Sequence, residues 1–325
     1  MNAKPLCLAL ALLALAVPAT RAADKVRVGI FPLATALPYW VAEQRGYFKA
    51  ENLDPQPVNL MGSQPIVAAM ITDQIDATTN LVTGDAFNAL TKKPDLLDYI
   101  SLNCQNAKYP LDAFMIRTAL PMKTIAELKG KASRMVTTPG AGNVTAMRAI
   151  FEINGLKEGT DFTITELAPN LQVEALKAGS FDVAFDFEPF PSLMVQKGVA
   201  RVLEGGVVAT YEVGRKDGCG FGAGGAVTQR FIKEKPDVAR RYAAAWRKAI
   251  TDVNKDLSTR QLLIGNTATP PDLVTKLAMP EMLMVSEMTP QNVEDLQKLF
   301  DFNIEHKVFS GHIDVSKYLV TLDRK

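Results

Sequence analysis

The sequence has almost no net charge and few of the residues from which metal and redox sites are built. Its 36 Lys and Arg residues nearly balance its 35 Asp and Glu residues. No basic block interrupts this balance, so nucleic acid is not an expected partner. The two histidines, His306 and His312, lie far in sequence from the cysteines and show no zinc-ligand spacing. The sequence therefore predicts no metal and no cofactor.

Long apolar runs are also scarce, and the clearest one is at the N-terminus. Residues 6–17 are apolar, follow Lys4 and precede the small residues of 18–22. The run is too short to cross a bilayer comfortably, and the pattern is typical of a secretory signal peptide. We therefore expect residues 1–22 to be cleaved and the mature chain to be exported. A retained membrane anchor is the alternative interpretation.

Cysteine is rare as well. Cys7 falls within the apolar run, which leaves Cys104 and Cys219 in the mature chain. In an oxidising compartment such a pair can form a disulfide, which here would close a long loop. Two free buried thiols are the alternative, because the Cα separation that decides between them cannot be read from sequence.

What the sequence does contain is a repeated strand–loop–helix pattern. Residues 26–31 read as a buried strand, small residues follow, and Pro38 opens a helix that Gly46 ends. Further on, Ser63 and Asn170 each begin an apolar helix that leads into a strand. This alternation predicts an α/β fold with parallel sheets in two similar lobes. Ligand-binding loops are then expected after the strands, at the carboxyl edge of each sheet.

One glycine-rich segment matches the spacing of a dinucleotide-binding motif. Residues 220–225 spell G-x-G-x-x-G, the pattern of a dinucleotide-binding turn. Residues 226–228 predict a strand, whereas a dinucleotide site needs a helix at that point. We interpret the segment as a flexible crossing strand or hinge.

Five segments of the chain are together similar to one known family. The chain resembles the solute-binding proteins of ABC importers, in the group for taurine, aliphatic sulfonates, nitrate and pyrimidine precursors. The resemblance implies the two-lobed periplasmic binding protein fold of the second type, with two Rossmann-like lobes joined by a two-strand hinge. It assigns residues 23–115 and 221–325 to lobe 1 and residues 116–220 to lobe 2. The similar segments are residues 38–42, 46–53, 73–77, 178–190 and 231–236.

The resemblance also implies a function and a location. It predicts a monomeric periplasmic protein that captures a small polar or anionic organic solute, such as a sulfonate, a carboxylate or a pyrimidine-like compound. The protein would deliver this solute to an ABC permease in the inner membrane. The loops expected to touch the solute supply these residues: Thr35, Tyr39, Gly62, Ser63, Asn80, Thr83, Thr138, Gly140, Asn143, Asn170, Phe187 and Glu188.

The residue types in these loops leave the charge of the solute open. No Lys or Arg occurs among them, so an oxyanion would depend on backbone N–H groups and hydroxyls. Asp186 and Glu188 would instead suit an amine or a heterocyclic N–H group. Ser63 and Asn170 have a structural alternative, because both are good helix-capping residues.

An enzyme on the same fold is the second class of function. A pyrimidine synthase that consumes its own histidine and cofactor is one example. His306 and His312 lie far in sequence from the crevice loops, and no Ser–His or Cys–His arrangement occurs in them. We therefore expect a binding protein and not an enzyme.

Overall fold

The computed structural model describes residues 22–308 and 311–324. The predicted signal peptide therefore lies outside the described residues, apart from its last residue, Ala22. The strands in chain order are β1 (Asp24–Ile30), β2 (Leu53–Asn59), β3 (Ala77–Val82), β4 (Leu97–Tyr99), β5 (Ser101–Gln105), β6 (Asp112–Arg117), β7 (Ser133–Thr137), β8 (Phe162–Glu166), β9 (Val183–Phe187), β10 (Ala200–Gly205), β11 (Gly220–Thr228) and β12 (Glu281–Met284).

The helices pack around these strands. Short 3-10 turns and a π-helical turn at Val208–Glu212 complete the connections. The α-helices are α1 (Leu37–Gln44), α2 (Tyr47–Ala50), α3 (Ser63–Ile71), α4 (Thr83–Lys92), α5 (Ala141–Ile153), α6 (Pro169–Lys177), α7 (Phe190–Gln196), α8 (Gln229–Glu234), α9 (Pro236–Lys255) and α10 (Pro290–Glu305).

The strands form two sheets of related topology. The larger sheet has the order β12-β5-β11-β3-β1-β2, with β4 also paired to β11, and the smaller has the order β10-β6-β9-β7-β8. In each sheet three parallel strands, β2-β1-β3 or β8-β7-β9, are followed by an antiparallel strand, β11 or β6. The predicted two-lobed α/β fold is confirmed. We call the parts built on these sheets the larger and the smaller lobe.

An arginine–aspartate pair recurs at the same place in both lobes. In the larger lobe, the backbone N–H and the Nε of Arg27 both donate to Asp76 Oδ2 at 3.0 Å. In the smaller lobe, the backbone N–H of Arg134 donates to Asp182 Oδ2 at 2.8 Å. Each aspartate precedes a strand that pairs with the strand carrying its arginine. These aspartates therefore hold the scaffold together, as their place after each helix predicts.

The chain crosses between the lobes twice, and the crossings run side by side. The first lies between Gln105 and Asp112, and the second between Gly205 and Gly220. The strand Asp112–Arg117 pairs with β9 and β10, so it belongs to the smaller sheet. The boundary expected at residue 115 therefore divides a strand, and the first crossing comes earlier in the chain.

The crossings are joined covalently and packed closely. Cys104 and Cys219 form a disulfide across 115 residues of sequence, with their Cα atoms 4.7 Å apart. Gly206 has a positive φ of 67°. A Cβ at Gly206 would lie 2.4 Å from the carbonyl carbon of Asn106. Only glycine fits this approach of one crossing to the other.

Each lobe has an aromatic cluster in its core. In the larger lobe the ring of Tyr242 stacks on Phe48 and on Trp246, at centroid distances of 5.7 and 6.0 Å. In the smaller lobe Phe114 packs against Phe151 and Phe185, at 4.9 and 5.0 Å. These fully buried rings fix the strands whose ends form the crevice.

Candidate functional site

A cavity lies between the lobes at the carboxyl ends of the parallel strands. It has an outer chamber of about 580 Å³ and an inner chamber of about 80 Å³ beside the crossings. Several residues, among them Phe31, Thr138 and Phe190, line both chambers, so the two form one continuous crevice. The combined size suits a small organic molecule.

Asn80 organises the wall that the larger lobe contributes. Its Nδ2 donates to the carbonyl oxygen of Phe31 and to Thr35 Oγ1, both at 3.0 Å. Its Oδ1 accepts from the hydroxyl of Thr79 at 2.6 Å. Asn80 therefore ties the end of β3 to the loop after β1, and its hydrogen-bonding groups are already occupied.

The start of α3 forms a second part of this wall. Gly62, with a φ of 124°, leads into Ser63, whose Oγ accepts from the backbone N–H of Val82 at 3.1 Å. Ser63 also interacts with Asp85, and burial raises the pKa of that carboxyl group. Gly62, Ser63 and Asp85 all line the outer chamber.

The smaller lobe contributes the loop between β7 and α5. Asn143 Nδ2 donates to the carbonyl oxygen of Thr138 at 3.3 Å and so closes the loop. The backbone N–H of Gly140 donates to Glu166 Oε1 at 2.7 Å. Asn170, near the start of α6, lines the outer chamber beside this loop.

Two buried carboxyl groups stand at the end of β9 and line the inner chamber. Asp186 Oδ1 accepts from the backbone N–H of Phe187 at 2.9 Å and from the hydroxyl of Thr138 at 3.4 Å. Its second oxygen, Oδ2, is buried and has no hydrogen-bond donor. Glu188 accepts from the hydroxyl and the backbone N–H of Ser192, at 2.7 and 3.3 Å.

Burial dominates the electrostatics of these two groups. It raises the pKa of Asp186 to about 7, because the charged form loses its hydration and Glu188 is close by. Burial likewise raises the pKa of Glu188 to about 7. The residues that line the two chambers include no Lys, Arg or His side chain. The crevice is therefore acidic in character.

Most of the predicted site residues line this crevice, and their contact with a ligand stays a prediction. Two do not line it. The ring of Tyr39 packs on Phe48 in the core of the larger lobe, at a centroid distance of 5.7 Å. The hydroxyl of Thr83 donates to the carbonyl oxygen of Phe221 at 2.7 Å, so it anchors β11. Those that line the crevice are Thr35, Gly62, Ser63, Asn80, Thr138, Gly140, Asn143, Asn170, Phe187 and Glu188.

The predicted set omits Asp186, although the sequence repeat marks it. Asp186 follows Asp182 by four residues, as Asn80 follows Asp76. The strand registers place the two pairs at equivalent positions of their sheets. The set also omits Gln105 and residues 265–268, which line the crevice from distant parts of the chain and carry no local signal.

Residues 22–308 and 311–324 contain no helix with the length and hydrophobicity of a membrane-spanning segment. They also contain no group of three or more His, Cys, Asp or Glu side chains placed to hold a metal ion.

Residues 19–265 match the model of the NMT1-like family. The chain belongs to the NMT1-like family. The match covers most of the chain and confirms the resemblance seen in the sequence. No protein of curated function matches the chain in sequence.

Solved structures share the fold over nearly the whole length of this family member. The alkanesulfonate-binding protein SsuA from Xanthomonas axonopodis pv. citri, bound to MOPS, is 17% identical with a TM-score of 0.72, over 92% of this chain and 98% of that one. The periplasmic aliphatic sulphonate binding protein SsuA from Escherichia coli is 16% identical with a TM-score of 0.73, over 92% of each chain. The periplasmic nitrate-binding protein NrtA from Synechocystis PCC 6803 is 15% identical with a TM-score of 0.70, over 90% of this chain and 84% of that one.

Proposed function

We propose that the protein is the exported solute-binding component of an ABC importer. It captures a small organic molecule between its lobes in the periplasm and delivers it, as a monomer, to a permease in the inner membrane. The observation that carries this proposal is the crevice, which both lobes line at the carboxyl ends of their strands. The family and the structural neighbours named above support it.

The connections between the lobes suit a closing motion. Two crossings join the lobes. A direct contact between the lobes is also present, because Gln196 Nε2 of α7 donates to Asp272 Oδ2 of the larger lobe at 2.5 Å. Such contacts form when the lobes approach each other around a solute, and the closed surface is what a permease would recognise.

Binding without turnover is favoured over catalysis by the contents of the crevice. Its polar groups are carboxyls, hydroxyls, amides and backbone groups. The imidazole of His306 lies outside the crevice lining and packs on Phe302, with ring centroids 4.3 Å apart. The pyrimidine-synthase alternative needs a histidine at the site, and the crevice lining supplies none.

The experiment combines a thermal-shift panel with small-angle X-ray scattering. A bound solute is expected to raise the Tm with concentration and to reduce the radius of gyration. The panel contains taurine, alkanesulfonates, nitrate, aromatic carboxylates, pyrimidines and organic amines, and mass spectrometry checks each compound for conversion. The proposal is wrong if no compound changes either quantity, or if a compound is chemically converted.

A further inference from the structure

The acidic groups of the crevice come from both lobes. Asp85 lines the outer chamber from the larger lobe, and Asp186 and Glu188 line the inner chamber from the smaller lobe. No cationic side chain among the lining residues balances them. A permanently anionic solute would have to lose its hydration beside these carboxyl groups, which is unfavourable.

Two buried polar groups of the inner chamber have incomplete hydrogen bonding, Asp186 and Gln105. Asp186 is 1% exposed and its Oδ2 has no donor among the described residues, whereas Gln105 Nε2 has no acceptor among them. Buried polar atoms nearly always have a partner, and leaving one unpaired costs about 1–3 kcal/mol. Asp186 lines the inner chamber, so a molecule bound there can supply the missing donor.

The neighbouring acid, Glu188, differs from Asp186 in its hydrogen bonding. Glu188 accepts from both the hydroxyl and the backbone N–H of Ser192, at the start of α7. These bonds hold the Glu188 side chain against the first turn of α7. The equivalent position in the larger lobe, Asn80, is also fully bonded. Asp186 alone among these three presents an unpaired buried oxygen.

The inner chamber is lined partly by apolar side chains, beside polar residues that include Gln105 and Thr138. Phe31, Leu33, Leu111, Phe187 and Phe190 line the inner chamber beside Asp186. A carboxyl group at the end of a partly apolar slot suits a molecule with a hydrocarbon or aromatic body and one polar head that donates hydrogen bonds. The inner chamber of about 80 Å³ accommodates the head, and the larger outer chamber accommodates the rest.

We propose that the solute is a small nitrogen base, such as an amine or amidine with an apolar body, whose N–H group donates to Asp186 Oδ2. This proposal rests on the solute-binding function proposed above. Under this proposal, sulfonates and nitrate are not the principal ligands of this crevice. The neighbouring structures, by contrast, are named as sulfonate-binding and nitrate-binding proteins.

The test compares isosteric compounds of opposite charge. Benzamidine and benzoate have nearly the same shape, and benzylamine and phenylacetate form a second pair in which a charged group follows the same benzyl group. Isothermal titration calorimetry measures their Kd for the mature protein at pH 7.5. We expect benzamidine and benzylamine to bind at least tenfold more tightly than their anionic counterparts. Tighter binding of benzoate or phenylacetate overturns the proposal.

Two variants assign the effect to one carboxyl group. Asp186→Asn keeps the shape but removes the charge, and it should weaken benzamidine binding at least tenfold. Glu152→Gln removes an exposed carboxyl group from α5 of the same lobe, outside the crevice, and should leave the Kd unchanged. An unchanged Kd in Asp186→Asn, with circular dichroism showing a folded protein, contradicts the proposal.

A pH series provides a second measurement that does not depend on a variant. Thr138, Phe187 and Glu188 are the groups that interact with Asp186, and Glu188 is the charged one among them. Benzamidine stays protonated between pH 6 and 8, so its affinity should rise over this range as the two carboxyl groups ionise. A falling affinity would show that the neutral acid is the binding form and would overturn the proposal.

The outcome also separates this proposal from the binding function itself. If anions close the lobes in the scattering experiment and the nitrogen bases do not, the binding function stands and the nitrogen-base proposal is wrong. If no compound of either charge changes the Tm or the radius of gyration, both are wrong.

Discussion

The two lobes use the same scaffold and differ at the equivalent residue that faces the crevice. Arg27 and Asp76 in the larger lobe correspond to Arg134 and Asp182 in the smaller one. Four residues after each aspartate the lobes diverge, with asparagine at position 80 in one and Asp186 in the other. The difference shows that the repeat preserves the positions of the strands, whereas the chemistry of the crevice is set separately in each lobe.

The two equivalent side chains also differ in how they are bonded. Asn80 donates to Phe31 and Thr35 and accepts from Thr79. Asp186 keeps one oxygen without a donor. The larger lobe therefore uses this position to hold its own loops in place, and the smaller lobe leaves it available for a solute.

The largest effect is expected when the covalent link between the crossings is removed. The disulfide between Cys104 and Cys219 encloses the whole smaller sheet. Loss of a cross-link over a loop of this length costs about 4–5 kcal/mol in the chain-entropy model. Urea unfolding followed by circular dichroism should show this loss in the Cys104→Ala/Cys219→Ala variant. Reduced wild-type protein is the control, and an unchanged midpoint after full reduction would contradict the prediction.

A core substitution should separate the stabilities of the lobes. Phe114 is fully buried in the smaller lobe, and Phe114→Ala should cost about 3–5 kcal/mol. Trp40 and Trp246, the two tryptophans of the sequence, both lie in the larger lobe. Tryptophan fluorescence therefore reports on the larger lobe, and far-ultraviolet circular dichroism reports on both.

In this variant, the circular-dichroism transition should begin at a lower urea concentration than the fluorescence transition. Phe114→Leu, which keeps most of the apolar volume, should separate the two transitions less. Coincident transitions in Phe114→Ala would show that the lobes unfold as one unit.

The two arginine–aspartate pairs should differ in strength. The Asp76 side chain is 5% exposed and accepts from Arg27 and Arg230, at 2.7 and 2.8 Å. The Asp182 side chain is 14% exposed, and its ion pairs with Arg117 and Arg134 are longer, at 3.2 and 3.4 Å. Asp76→Asn should cost about 2 kcal/mol and Asp182→Asn about 1 kcal/mol. Thermal or urea unfolding at pH 7 measures both, and the reverse order would contradict the comparison.

The contribution of Asp76 should also depend on pH. Burial pulls the pKa of Asp76 upward, but the hydrogen bonds from Arg27 and Arg230 outweigh it and lower the pKa below the ordinary value of 3.8. The stabilisation is therefore present above this value and is lost as the pH falls through the lower pKa of the folded state. The stability difference between wild type and Asp76→Asn should accordingly shrink below about pH 4.

An effect of the opposite sign is expected between the lobes, where a buried acid is favoured in its protonated form. Burial and the nearby Asp112 raise the pKa of Glu212 to about 8, and Asn303 donates to it at 3.3 Å. The folded state favours the protonated form, so stability is present below the ordinary pKa of 4.5 and is lost as the pH rises through about 8.

Glu212→Gln should therefore stabilise the protein at pH 8, because it removes a buried charge that the folded state disfavours at that pH. It should have little effect at pH 4. Unfolding measurements at both pH values test this, with Glu152→Gln as a control on an exposed carboxyl group. A variant that is less stable than wild type at pH 8 would contradict the assignment.

Local sequence was sufficient to predict the strands and helices. It was not sufficient to predict contacts between segments that lie far apart in the chain. The alternation of strands and helices and the repeated capping residues predict two α/β lobes, and the family resemblance implies most of the residues that line the crevice. Tyr39 lies near the start of a helix, where a ligand contact was expected, but its ring packs on Phe48 in the core. The hydroxyl of Thr83 donates to the carbonyl oxygen of Phe221, 138 residues away in sequence. No local sequence pattern predicts such a contact. From sequence alone, the strand beginning at Asp112 could belong to either sheet, because its residues do not determine which strand it pairs with.

The roles of the two acids at the end of β9 show the same limit. The sequence places Asp186 and Glu188 in one loop, and the predicted site set contains Glu188 but not Asp186. Ser192 lies four residues after Glu188 at the start of a helix, and this spacing was the available signal that Glu188 is occupied. That Asp186 Oδ2 is left unpaired depends on the packing of two lobes, which only the three-dimensional structure contains.

The position of β11 has a consequence for the order in which the protein assembles. This strand lies in the middle of the larger sheet, between β3 and β5, yet it begins only at Gly220. The smaller sheet is complete once Gly205 has been added to the chain. During synthesis from the N-terminus, the smaller lobe can therefore be finished first, while the earlier strands of the larger lobe still have an unpaired edge.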